Sequence, residues 1–184
     1  MIGRELFEGE RVRLTALSGD DATAIAGWYE NAAFMRLFDA TTAYPLNAEQ
    51  VIERISEWQK SDADFVFAVR RLEDQAIIGI VGLAEISWRN RLAALEIALD
   101  PNHWGQGYGG EALRLVLRYG FAELNLHRVQ LTVFAYNEAA RRLYEKTGFR
   151  HEGTFREAIY RDGDYHDMLL MGLLAREWTE RSGV

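Results

Sequence analysis

Leu99-Asp-Pro-Asn-His-Trp-Gly-Gln-Gly-Tyr-Gly-Gly-Glu-Ala-Leu113 sets four glycines, Gly105, Gly107, Gly109 and Gly110, within six residues. The stretch before it, Leu92–Leu99, is short, apolar and bounded by Pro101, the pattern of a strand. Behind it Ala112, Leu113, Val116, Leu117 and Phe121 recur at helical spacing, so a helix begins near Gly109. A strand, a glycine turn and a helix start together make an anion site. The first N–H groups of a helix lack internal partners and lie at the positive end of its dipole. Glycine lets a phosphate approach that backbone with no Cβ in the way. The turn therefore reads as a cradle for a phosphate-bearing cofactor. The plainer alternative is a tight turn whose glycines serve packing alone.

Two familiar loops can be tested against it. A P-loop ends in Gly-Lys-Ser/Thr, and this turn continues Gly110-Glu111-Ala112, which argues against a nucleoside triphosphate. The dinucleotide pattern G-x-G-x-x-G is met formally by Gly105, Gly107 and Gly110. It also requires an acidic residue at the end of the next strand, and that strand, residues 128–135, has no Asp or Glu. A nicotinamide-dependent oxidoreductase is thus the weaker reading.

Pro101…Trp104-Gly105-Gln106-Gly107-Tyr108-Gly109-Gly110, followed by Glu-Ala-Leu, resembles the acetyl-coenzyme A pyrophosphate loop of the GNAT superfamily of N-acetyltransferases. About 30 residues on, Asn137-Glu-Ala-Ala-Arg-Arg-Leu-Tyr144-Glu-Lys-Thr-Gly148-Phe149 resembles that superfamily's next block. Two matches in the right order are far more specific than either one. The likeness runs from Arg11 to about Leu174 and is nearest the branch of ribosomal-protein alanine and spermidine acetyltransferases. One departure is Trp104, where the family usually has Arg or Gln. The loop acts through main-chain N–H groups, so the change is expected to matter little.

The resemblance implies a GNAT-like α+β fold, a mixed, mostly antiparallel sheet of six or seven strands flanked by about four helices. It implies transfer of an acetyl group from acetyl-coenzyme A to a primary amine of a protein N-terminus, a polyamine or a small molecule. The pantetheine arm would pair with main-chain groups near Ile97, Ala98 and Leu99, and the turn Trp104, Gly105, Gln106, Gly107, Tyr108, Gly109 and Gly110 would hold the pyrophosphate. Asn137 and Tyr144, seven residues apart, share one helix face, and the family places both against the coenzyme, with Tyr144 as general acid to the leaving thiolate. Asn137 could equally be an N-cap and Tyr144 a core aromatic. Arg141, Arg142 and Lys146 could reach the coenzyme phosphates, or form a solvated basic face. Many members carry an acidic residue early in the strand before the turn, where this chain has Ala93 and Ala94. That leaves Glu96, two positions on, and Glu85, on the adjacent strand, as candidate bases working through water. A non-catalytic acetyl-coenzyme A sensor is the alternative of a different class.

Composition bounds the rest. The 184 residues suit one domain with a substantial core. No run of about 18 apolar residues suggests a membrane span, and the start lacks the layout of a signal peptide, so the cytoplasm is the expected compartment. Cysteine is absent, which excludes disulfides, thiolate metal sites and an acyl-cysteine intermediate. His103, His127, His151 and His166 show no metal-ligand spacing. A net charge of −7 disfavours nucleic acid and suits a cationic substrate. A homodimer is compatible with all of this.

Read in order, residues 11–17 alternate as a first strand with Val12, Leu14 and Ala16 on one face. Ser18-Gly-Asp-Asp21 opens a helix carrying Ile25 and Trp28, residues 31–38 form another, and Asn47 with Gln50 is a capping-box start for a third. This helical region, about 18–60, with Met35, Phe38 and Tyr44 near its bends, resembles the part of the family that shapes the acceptor pocket. Strands follow at 65–71 and 76–88. A helix between the strands at 92–99 and 128–135 makes that pair parallel. Gly120 inside the helix implies close packing. The resemblance implies a coenzyme-binding core over about 65–150, and a last hairpin, about 150–174, turns at Arg161-Asp162-Gly163-Asp164.

Overall fold

A computed structural model describes residues 6–178 of the chain. The alternating opening stretch is β1 (Val12–Ala16), followed by α1 (Ala22–Trp28), α2 (Ala32–Phe38) and α3 (Ala48–Lys60). Next come β2 (Phe65–Arg71), β3 (Ile77–Ser87) and β4 (Leu92–Leu99). The glycine turn then leads into α4 (Tyr108–Arg118), β5 (Arg128–Phe134), α5 (Glu138–Thr147), β6 (Arg150–Arg161) and β7 (Asp164–Leu174). The strands form one sheet in the order β1-β2-β3-β4-β5-β7-β6. Every neighbouring pair is antiparallel except β4–β5, the pair joined through α4. The seven strands match the expected sheet, while five α-helices stand where about four were expected.

Alternation along the strands divides the apolar residues between two layers. Val69, Val81 and Leu95 face α4 with Leu113, Val116 and Leu117, all buried. Ala68, Ile80 and Ala98 face the other way, onto Ile25, Trp28, Phe34, Val51 and Ile55 from the first three helices. Each fully buried Leu, Val or Ile contributes about 1.5–3 kcal/mol relative to exposure. β3 is buried on both faces, so it reads as a continuous apolar run instead of an alternation. Ala16 departs from the expected core face and is exposed. β1 is an edge strand and ends there, and the chain bends so that Leu17 enters the second layer.

Local signals hold where side chains bond to nearby backbone. Asn47 accepts from the Gln50 N–H at 2.9 Å and the Gln50 side chain accepts from the Asn47 N–H at 3.0 Å, closing the capping box of α3. Gly148 ends α5 at φ 113, and the Asp162-Gly163 turn has φ 53 and 87. The helix containing Gly120 is α only to Arg118 and widens to a π turn over Tyr119–Glu123. A Cβ on Gly120 would lie 2.8 Å from Leu83 Cδ1, so this turn sits directly on β3.

Candidate active site

The parallel pairing of β4 with β5 covers only Leu92↔Arg128, Ala93↔Val129 and Ala94↔Gln130. Beyond it β4 continues to Leu99 paired with β3, and β5 continues to Phe134 paired with β7. The sheet therefore forks, and the side of β4 from Leu95 onward that faces β5 has no strand beside it. A cavity of about 360 Å³ opens at this fork. Its walls include Ile97, Ala98 and Leu99 from β4, Trp104, Gly105, Gly107, Tyr108, Gly109 and Gly110 from the turn, and Asn137 and Tyr144 from α5. Eleven residues singled out in the sequence thus meet in one place. Phe34, Leu37 and Phe38 of α2 and Leu143 of α5 also line it.

The turn is shaped by its own hydrogen bonds. Asp100 accepts from the Asn102 N–H at 2.9 Å, and the Trp104 indole Nε1–H donates to the Leu99 carbonyl at 2.8 Å. The departure at Trp104 thus has a structural role, and it occupies a carbonyl that was a candidate partner for pantetheine. Gly105 and Gly107 stand at φ 72 and 86, where an L side chain is strained. Gly109 has helical φ and is needed for another reason: a Cβ there would press on Leu99 at 3.2 Å and Leu143 at 3.3 Å. The N-cap Gly107 offers no side-chain cap, and Tyr108, Gly109 and Gly110 of the first turn of α4 line the cavity with N–H groups that lack partners within the helix. A Cβ on Gly107 would meet Arg11 Nη2 at 3.0 Å. Arg11 lies over the Tyr108 ring at 4.8 Å and donates to the Gln106 carbonyl at 3.1 Å. Buried Glu111 accepts from the N–H groups of Arg11 and Val12 at 2.8 and 3.1 Å, fastening β1 to α4. Helix dipole, free N–H groups, Arg11 and the absent Cβ together fit a pyrophosphate.

The other residues fall around this cavity. Tyr144 is buried, packed edge-on to Phe149 at 5.9 Å, and burial pushes its phenol well above the ordinary tyrosine range. Asn137 caps α5, accepting from the Ala140 N–H at 3.2 Å, while also lining the cavity, so the two readings of that residue coexist. Gln106 lies outside the wall with its amide bonded to the Asn102 carbonyl. Arg142 pairs with Glu138 at 3.1 Å on an exposed face of α5, and Lys146 is exposed further along it. Phe38 lines the cavity, Met35 is buried in the helical layer and Tyr44 is exposed.

Glu96 and Glu85 stand outside the cavity wall and close enough to feel each other's charge. The register sets Glu96 opposite Gly82, and Glu85 occupies the bulge between Ala84 and Ser87 at φ 53. The Glu85 N–H donates to Asp64 at 2.9 Å, which fixes that strained residue. Glu96 keeps one side open to solvent. Desolvation by its surroundings, and then the negative charges of Asp64 and Glu85, raise its carboxyl above the ordinary range, with Arg54 opposing. Sequence reasoning missed Arg11, whose role depends on the turn lying beside β1. It also missed Phe34 and Leu37, which lie in a helix patterned like any other.

Comparison with known proteins agrees with this geometry. Residues 11–150 match the family model described as an acetyltransferase (GNAT) domain. A probable N-acetyltransferase, YjcK of Bacillus subtilis, is 32% identical over 178 residues, covering 92% of this chain and 97% of that protein. Spermidine N(1)-acetyltransferase of Vibrio cholerae is 37% identical over 106 residues, 58% of this chain and 61% of that protein. The crystal structure of spermidine N-acetyltransferase from Vibrio cholerae in complex with CoA and spermine superposes with a TM-score of 0.83 at 30% identity, covering 90% of this chain and 96% of that one. The dinucleotide reading of the glycines falls with these matches.

Proposed function

The chain belongs to the GNAT family of acetyltransferases, and from that premise we propose that it acetylates a cationic primary amine, a polyamine being the best-fitting class, by direct attack in a ternary complex. The observation that carries the reading is the fork. One cavity joins an unpaired strand edge, the uncapped start of α4 and the Tyr144 phenol. Acetyl-coenzyme A supplies an activated acetyl thioester when bound.

Each part of the site has a task in such a transfer. Main-chain groups of β4 at Ile97 and Ala98 would hold the pantetheine arm as an added strand, and a main-chain N–H there would polarise the acetyl carbonyl. The N–H groups at Tyr108, Gly109 and Gly110 would bind the pyrophosphate. An amine arrives as an ammonium and must lose a proton before its lone pair can attack. Glu96, raised above the ordinary carboxylate range by desolvation and neighbouring negative charge, and Glu85 beside it would draw that proton off through water. The same carboxylates with Asp64 form an anionic surround that suits a polycation over a neutral amine. Tyr144 remains protonated at any working pH and would donate its phenolic proton to the departing thiolate sulfur. Burial makes that proton costly to release, and the same dry surroundings make the thiolate eager to take it.

The test is an acceptor screen that follows release of free coenzyme A thiol with spermidine, spermine, single amino acids and peptides with free N-termini. Polyamines are expected to give the highest kcat/KM. Turnover only with peptides would overturn the acceptor class, and tight acetyl-coenzyme A binding without turnover on any acceptor would identify a sensor.

A further inference from the structure

The C-terminal end of α2 is held by residues a hundred or more positions later. The Arg36 carbonyl accepts from the Tyr136 hydroxyl at 2.8 Å, and the Leu37 carbonyl from Asn137 Nδ2 at 3.5 Å. Just past the helix, the carbonyls of Asp39 and Thr41 each accept from Arg161 Nη2 at 2.8 Å. The last carbonyls of any helix lack partners within it, so these bonds satisfy groups that would otherwise turn to solvent. Arg36 also forms a two-pronged ion pair with Asp162, its Nη1 donating at 3.0 Å. Every partner lies at the end of β5, the start of α5 or the tip of the β6–β7 hairpin.

One of these bonds, from Asn137 to Leu37, joins two residues of the cavity wall. α2 belongs to the layer packed on the first half of the sheet, whereas its partners belong to the second half. α2 also supplies Phe34, Leu37 and Phe38 to the cavity wall, with Phe34 stacked on Phe38 at 5.6 Å. We propose that Arg161, together with the Arg36–Asp162 pair, forms a strap of positioning residues that fixes this wall and so seats the acceptor amine for transfer. The proposal rests on the reading of the cavity given above. Arg36 and Asp162 are 43% and 69% exposed, too open for their pairing to add much stability. Arg161 makes charge-assisted bonds to two carbonyls, which fix direction as well as distance. The strap therefore acts on the geometry of the cleft more than on the stability of the fold.

The experiment compares Arg161→Ala, Arg36→Asp, Asp162→Arg and the double exchange Arg36→Asp with Asp162→Arg. Spermidine, or the best acceptor of the screen, serves as the amine, and hydrogen exchange of the amides at residues 34–41 is measured without substrate. Arg161→Ala is expected to speed exchange at 36–41 and to lower kcat/KM for the amine about tenfold, since misplacement by an ångström costs up to about 100-fold. The KM for acetyl-coenzyme A should move less than about twofold, because the glycine turn is untouched. Each single exchange should act in the same direction and the double should recover. A folded Arg161→Ala protein with unaltered exchange and amine kinetics would overturn the proposal. So would a loss that follows a fall in Tm and strikes both substrates equally, the mark of a merely structural strut. If the unaltered protein transfers no acetyl group, the functional reading fails instead, and the substrate-free exchange result tells the two failures apart.

Discussion

The two walls of the cleft are made of different material. On one side β4 and the glycine turn offer backbone: strand edge, helix-start N–H groups and bare Cα atoms. On the other α2 and α5 offer side chains, Phe34, Leu37, Phe38, Leu143 and Tyr144. A backbone wall suits whatever part of a ligand is constant, because main-chain groups vary little with sequence. A side-chain wall can be altered one residue at a time without disturbing the fold. That division suits a coenzyme shared by many reactions and an acceptor particular to one.

The sharpest way to break this contrast is Tyr144→Phe, which removes one oxygen from the side-chain wall and nothing from the backbone wall. A positioned acid is worth roughly 10²–10⁴-fold in kcat, and the KM for acetyl-coenzyme A should barely change. Steady-state kinetics with the best acceptor checks both, and full turnover would remove Tyr144 from the chemistry.

Gly107→Val tests the opposite wall. Gly107 sits at φ 86 with Arg11 3.0 Å from where a Cβ would fall, so the variant is strained and the cradle filled. The KM for acetyl-coenzyme A should rise at least about tenfold, equivalent to about 1.4 kcal/mol. Calorimetric titration of coenzyme A checks the same change in binding, and unchanged affinity in a folded variant would move the pyrophosphate elsewhere.

The smallest effect expected is a displacement along the pH axis. A raised carboxyl is protonated, and useless as a base, up to a higher pH than usual. Activity should therefore climb with pH through a limb above the ordinary carboxylate value of about 4. Glu96→Gln removes that carboxyl, so the limb it sets should be lost from the profile. Stability runs the other way: the folded state holds the Glu96 proton longer than the unfolded chain, so this group's contribution is lost as pH rises through that window. A pH–rate profile with an unmoved limb would clear Glu96 of the proton transfer.

The same contrast governs what could be read before the structure. The backbone wall was legible because its determinants are local: glycines, a strand run, a helix period and Pro101, all between Leu92 and Phe121. The α3 capping box and the hairpin turn at Asp162-Gly163 were legible for the same reason. The strap was not, since Arg161 and Asp39 are 122 positions apart and neither sits in a pattern that names its partner. The indole bond from Trp104 to Leu99 also lay hidden, because only the folded turn brings a side chain back over the strand end. Ala16 misled because alternation marks two faces without saying where a strand stops. Glu85 gave no sign of its left-handed backbone, which depends on the bulge and on Asp64.

Glu111 carries a consequence for the order in which the molecule assembles. It ties the N–H groups of Arg11 and Val12 to a helix that begins almost a hundred residues later, and a Cβ at neighbouring Gly9 would collide with its oxygen at 2.2 Å. During synthesis β1 is made before α4, yet the amides of Arg11 and Val12, at the head of that strand, lack the Glu111 acceptor until α4 has emerged and docked. Closing so long a loop costs entropy before any contact repays it, and contacts of wide sequence separation slow folding. The first strand of the sheet is completed by the helix whose start is proposed to hold the phosphates.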